Sequence, residues 1–385
     1  YDVELSNAPG TPAGPFLLMR PGAGRSAHGI EPSPLTDLRD AASTGADLLI
    51  VAHDPFLPAL QPLVDHRESQ GLRVVAAALS DVYEEFNGGI AEPLGIRTFV
   101  QWAYENFASP APAFVLLVGD ATYDPKDLKG QGDDYLPARF FHQDGFGLGP
   151  TDTWYGAVSG DDPVPDLAVG RIGARTVADV ENHVSSLIAF EHNPPIAAVN
   201  QGNLYVADDD DSAFESILEG TATAWQPPAF ATRRVYLRSY ASGASAKSDI
   251  QSWIDDGVLV ASYLGHGTRT RWAAEGMWSE SDVASLAPTG HLPFVLALNC
   301  VNGYFTNLDA EPYGLGESWT RSSDRGALGN WSPSATGTLF NYEVLIDRFF
   351  EKLFVERETR AGAAAWQALL TAHLTDNVPM NYVRQ

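Results

Sequence analysis

Pro293-Phe-Val-Leu-Ala-Leu-Asn-Cys-Val-Asn-Gly-Tyr-Phe305 is the stretch on which the reading of this chain turns. A short run, apolar on both faces, leads straight into Cys300, the sole cysteine, and Asn302-Gly303 then forces a turn. Such a run reads as a fully buried strand inside a parallel sheet. Cys300 then stands at the carboxyl end of that strand, where open α/β sheets receive their ligands. A lone cysteine is ordinarily a small buried core residue. Its place at a strand end, just before a glycine turn, argues here for chemistry instead.

Upstream, Gly257-Val-Leu-Val-Ala-Ser-Tyr-Leu-Gly-His-Gly267 is a second buried run, and His266 sits between two glycines at its carboxyl end. Glycine lets backbone approach a ligand closely, which leaves the Gly267 N–H available to it. Between the runs, Ser279 and Asp282 form a capping-box pattern for a short helix carrying Val283 and Leu286. Strand, helix, strand implies a right-handed crossover with the two strands parallel. His266 and Cys300 are then expected on one sheet edge.

Tyr263-Leu-Gly-His-Gly267 and Leu298-Asn-Cys-Val-Asn-Gly-Tyr-Phe305 resemble the histidine and cysteine motifs of the gingipain family of cysteine peptidases, related to caspases and legumains. The resemblance extends through Leu116-Leu-Val-Gly-Asp120 and Asp166-Leu-Ala-Val-Gly-Arg171 and covers residues 45 to 350. It implies two caspase-like α/β subdomains, each a mainly parallel sheet flanked by helices. It also implies a cysteine endopeptidase in which Cys300 attacks the peptide carbonyl and His266 assists, through a thioester. The oxyanion donors are expected to be the N–H groups of Gly267 and Cys300. The acid that orients His266 falls on Asp209, with Asp208 the neighbouring choice. Leu264 and Leu298 match positions lining the pocket for the residue before the scissile bond. Asp211 lies near the place of an arginine-binding aspartate, so a basic residue is the first expectation there. A medium apolar residue, which the two leucines would favour, comes second, and an acidic one, favoured by Arg269 and Arg271 just past His266, third. The family also binds calcium, which gives the acidic loop from Asp120 and Asp124 onward a ligand reading. No cofactor is expected for the chemistry itself. The Gly-Asp-Pro strand that normally closes the family's fold is not found before Gln385, so a shortened C-terminus is expected.

Other readings of the same residues are a sortase-like transpeptidase, in which an amine resolves the thioester, and a non-catalytic binding module on this fold. The module reading predicts loss of the cysteine or histidine, and both are present. A metal hydrolase lacks a histidine pair at ligand spacing.

The 385 residues carry 49 acidic against 24 basic side chains, a formal charge of −25. That surface disfavours nucleic acid and anionic membranes as partners and leaves protein or peptide substrates. No apolar run approaches the ~18 residues of a membrane span. One cysteine excludes an internal disulfide. A chain starting at Tyr1 with no leader pattern reads as a processed, secreted or cell-surface form. Oligomeric state is left open.

Along the chain, residues 1–40 are rich in Pro, Gly and Ser and read as an extended arm. Strands at 47–53, 72–79 and 114–120 alternate with helices, the rhythm of a parallel sheet, within a subdomain at 41–195. Residues 121–165 read as acidic loop. A helix at 176–191 ends at His192-Asn-Pro-Pro195. The catalytic subdomain, 196–385, opens with the strand Asn203–Asp208. Strands at 234–237 and 326–331, and helices at 248–255, 311–322 and 341–355, complete the expectation.

Overall fold

Leu48–Ala52 (β1) is apolar at every position and buried on both faces, so it must lie in the middle of a sheet covered on both sides. It does. The computed structural model describes residues 37–130, 132–196, 202–306 and 313–383; most of the expected N-terminal arm lies outside these. β1 is flanked by β2 (Val74–Ala78) and β3 (Phe114–Val118), with β6 (Ala168–Ile172) beyond β3, all parallel. Leu49, Val51 and Leu117 face helices α2 (Leu79–Asn87) and α3 (Pro93–Asn106), while Ile50, Ala52 and Val118 face α1 (Gln61–Ser69) and α5 (Val177–His192). Helix α5 starts in a full capping box between Thr176 and Asp179, which satisfies orphan amides of its first turn.

A second sheet has the order β14 (Gly329–Trp331), β13 (Phe294–Leu298), β9 (Val260–Leu264), β7 (Gly202–Ala207), β8 (Ala231–Tyr236), again all parallel. Alternate residues supply two cores. Val206, Ala261, Tyr263 and Ala297 pack under α7 (Gly243–Asp256) and a group of tryptophans. Tyr205, Ala207, Leu264 and Leu298 pack under α6 (Ser212–Trp225), α10 (Leu339–Phe350) and α11 (Ala361–Asp376). Burying one such Leu or Phe side chain is worth about 1.5–3 kcal/mol, so strand parity is strongly fixed.

Both sheets lie within one unit, Asp37–Gln385. The chain passes between them after His192, in a stretch whose residues 197–201 lie outside the described ones. Bonds tie the halves together: Arg321 to Asp179 at 2.5 Å, Ser186 Oγ to the Ser322 carbonyl, and Trp366 Nε1 to the Pro165 carbonyl.

Several elements differ from the sequence expectation. The 121–165 segment contains a hairpin, β4 (Arg139–Gln143) with β5 (Gly147–Thr151), and a one-turn helix α4 (Thr153–Gly156). The β9–β13 crossover holds a small antiparallel meander, β10 (Gly267–Thr268), β11 (Arg271–Trp272) and β12 (Trp278–Ser279), before the expected helix, here the single turn α8 (Glu280–Val283). Helices α2, α6 and α11 were not foreseen. The expected helix at 311–322 is one turn, α9 (Leu315–Ser318), among the described residues.

Candidate active site

The three central strands of the second sheet end level. Ala207 of β7 pairs with Leu264 of β9, and Leu298 of β13 pairs with the same leucine. His266 and Cys300 therefore each stand two residues beyond one row of the sheet, on neighbouring parallel strands. From β7 the chain goes outward to β8 and then back to β9 on the other side. This reversal of strand order is the place where open α/β sheets take ligands, beyond the strand ends.

Each residue around His266 has a task. The buried Tyr263 hydroxyl donates to the His266 carbonyl (2.6 Å) and accepts the Ala273 N–H (2.9 Å). Its ring stacks on Trp272, centroids 4.5 Å apart. A side chain at Gly265 would collide with Asp208 and the Tyr263 hydroxyl. The glycine thus lets Asp208 reach alongside and accept the His266 N–H at 3.0 Å. Asp208 is fully buried. Burial pushes its carboxyl up, and the amides of His266 and Asp209 pull the other way. Gly267 is packed against the Asn299 side chain, which any Cβ would strike.

On the cysteine side, Asn299 Nδ2 donates to Asn302 Oδ1 (2.7 Å), and Asn302 Nδ2 donates to the Thr268 carbonyl. Buried Asn302 thus ties the cysteine turn to the hairpin that follows His266. Tyr342 Oη donates to the Asn299 carbonyl at 2.6 Å; burial first, and the Cys300 sulfur second, raise its phenol well above the usual range. Gly303 passes so close to the Ser332 carbonyl that a Cβ would overlap it. Val301, directly after the cysteine, has φ of +57°, a genuine outlier for a β-branched residue. It is held by its N–H to the Ala335 carbonyl (3.1 Å) and its carbonyl to the Tyr304 N–H (3.2 Å).

The His266 ring is open to solvent, 63% exposed, with Phe214 edge-on at 5.7 Å. Its Nε2 lies 3.8 Å from Asp210 Oδ2. Asp209, the acid expected to orient His266, is not the one paired with the ring. Its carboxylate groups with Asp208 and Glu275, donor atoms within 4.8 Å of one another. Past Ala207 the chain leaves the sheet, so counting by register no longer identifies the facing side chain. The Gly267 N–H faces away from β11: Ala273 N–H bonds the His266 carbonyl, and the next antiparallel pair, Gly267–Trp272, is the one directed outward.

Other expected site residues take different places. Leu264 and Leu298 are 1% and 2% exposed and sit in the core under α10; they offer no surface to a substrate. Asp211 Oδ1 accepts the Ala213 N–H at 2.9 Å and caps α6. Asp120 is buried against Arg175, Nε to Oδ2 at 2.6 Å, and beside Glu317. Asp124 accepts the Lys129 N–H. A carboxylate already neutralised by a guanidinium is a poor calcium ligand, so Asp120 does not fit the expected ion; Asp124 has no such partner in its bond to the Lys129 backbone. Burial, and then the Asp120 charge, push Glu317 well above the usual carboxyl range.

A sequence model of peptidase family C25 matches residues 41–384. The chain belongs to that family. Among curated relatives, gingipain R2 of Porphyromonas gingivalis is 23% identical over 269 residues, covering 67% of this chain and 32% of the relative. Lys-gingipain W83 of the same organism is 24% identical over 297 residues, 76% of this chain and 16% of the relative. This C25 chain thus spans about a third or less of the length of these relatives. Among solved structures, the Arg-specific cysteine proteinase gingipain R superposes with a TM-score of 0.70 at 18% identity, covering 92% of this chain and 77% of that one. The complex of Porphyromonas gingivalis RgpB pro- and mature domains gives 0.70 over 88% and 77%. The caspase-like α/β fold expected from the sequence is the fold found. Among the described residues no helix is long and apolar enough to cross a membrane.

Proposed function

We propose that this chain is a cysteine endopeptidase with Cys300 as nucleophile and His266 as its acid–base partner. The observation that carries this is the common level of the two side chains on adjacent parallel strands, with Asn302 bridging the loops that bear them. Membership of a peptidase family supports the reaction class.

His266 takes the thiol proton, and the Cys300 thiolate attacks the peptide carbonyl carbon. The carbonyl oxygen becomes an oxyanion within reach of the Gly267 and Cys300 N–H groups, each such donor being worth roughly 3–4 kcal/mol. Collapse breaks the C–N bond, and the leaving amine takes the proton from His266. Water, deprotonated by His266, then cleaves the thioester. Asp210, on the solvent side and 3.8 Å from His266 Nε2, is the acid placed to orient the imidazole. The core positions of Leu264 and Leu298 argue against them as determinants of substrate preference, and the Oδ1 of Asp211 serves as a helix cap.

Cys300→Ala is expected to abolish cleavage of a fluorogenic peptide library while leaving the thermal melt unchanged. Full cleavage by that variant would end the proposal.

A further inference from the structure

A cleft of about 560 Å³ lies away from Cys300, between the β4–β5 hairpin and the 161–163 turn. Its chemistry is unusual for a chain of charge −25. Two arginines share one indole: Cζ of Arg97 is 4.9 Å and Cζ of Arg139 5.2 Å from the Trp154 ring centroid. Arg97 donates from Nε and Nη2 to the Ala157 carbonyl, which fixes its plane and leaves Nη1 unused by these bonds. Arg139 is exposed, and among the described residues neither guanidinium forms an ion pair. His142, Asp161 and Asp162 also line the cleft.

We propose that this cleft binds a carboxylate of a peptide. A planar guanidinium on a fixed plane presents a fork that matches a carboxylate, and an indole face supports it without competing for its protons. The two aspartates that also line the cleft repel a run of acidic residues, so a single carboxylate, from an acidic side chain or a free C-terminus, is the ligand class. The volume is that of a small-ligand site, enough for one or two residues.

The cleft also leans on the cysteine loop. On the hairpin that forms its wall, the Gln143 side chain donates to the Thr336 carbonyl, and the Pro150 carbonyl accepts from Ser334 Oγ. Neighbouring Ala335 accepts the Val301 N–H. A peptide held in the cleft is thus one hairpin away from Cys300. The peptide as ligand rests on the peptidase reading, whereas the carboxylate preference rests on the cleft alone.

The test measures binding, not turnover, by fluorescence anisotropy on full-length Cys300→Ala protein at low salt. Three labelled peptides of one sequence are used: one with an internal Glu and an amidated C-terminus, one with Gln and an amide, and one with Gln and a free C-terminus. At least one carboxylate peptide is expected to bind tenfold or more tightly than the Gln amide, and which one does so names the source. Arg139→Gln is expected to erase that difference, and Arg139→Lys to keep only part of it. Cleavage of a short neutral substrate by Arg139→Gln in the Cys300 background should match wild type. Equal binding of the Gln amide, or an acidic preference that survives Arg139→Gln, overturns the proposal. Loss of cleavage in the parent with carboxylate binding intact would count against the peptidase reading alone.

Discussion

Asn302→Ala removes the one side chain that spans the cysteine turn and the histidine hairpin. Its carboxamide is 1% exposed, accepts from Asn299 Nδ2 and donates to the Thr268 carbonyl. Truncation strands the Asn299 donor in a buried place, which costs about 1–3 kcal/mol, and loses a half-buried bond worth about 1 more. A loss of about 2–4 kcal/mol is expected in urea unfolding. Rates should fall further than stability explains, because a displacement near 1 Å between reacting groups can cost about a hundredfold. The assay pairs urea melts with kcat/KM on a fluorogenic peptide, measured where the variant is fully folded. A folded variant with wild-type kcat/KM and a melt shifted by less than 0.5 kcal/mol, on the scale of surface substitutions, would refute this reasoning.

Asp210→Asn should leave stability within about 0.5 kcal/mol, since an exposed pair at 3.8 Å contributes little, yet lower kcat/KM as the His266 ring loses its orienting partner; Asp209→Asn should lower kcat/KM less. Val301→Gly relieves a left-handed φ costing about 1–2 kcal/mol and adds chain entropy costing about 0.5–1, so stability should rise by up to about 1.5 kcal/mol while kcat falls as the turn loosens. Burial raises the Asp134 carboxyl to about 6, with the Thr122 N–H opposing. A carboxyl raised above its unfolded value near 3.9 stabilises most below that pH and loses its contribution as pH climbs through 6. Unfolding free energy should therefore drop by roughly 2 kcal/mol between pH 4 and 6.5, and Asp134→Asn should flatten that slope.

The parallel strands were legible because β1, β3, β9 and β13 are apolar on both faces, and only a covered sheet explains that pattern. The placement of Cys300 and His266 at neighbouring strand ends was legible because each follows such a run and meets glycine. The nearness of Asp210 to the His266 ring was not: the sequence pointed to Asp209, with Asp208 next, and the path of the chain beyond the sheet brings Asp210 to the ring instead. Leu264 and Leu298 misled because closeness in sequence to a catalytic residue says nothing of parity, and both fall on the core side. The meander escaped because two-residue strands show no alternation. The β4–β5 hairpin carried one overlooked signal, Asp144-Gly145 in its turn. Asp211 as helix cap, with Phe214 and Leu218 at helical spacing behind it, was the signal for α6.

The most direct measurement is intact-mass spectrometry with peptide mapping after a peptidyl chloromethyl ketone is added in steps to the wild-type chain. The account predicts a single adduct on Cys300, loss of cleavage in proportion to that adduct, and labelling slower by orders of magnitude in His266→Ala. Complete labelling of Cys300 with peptide cleavage undiminished would contradict it.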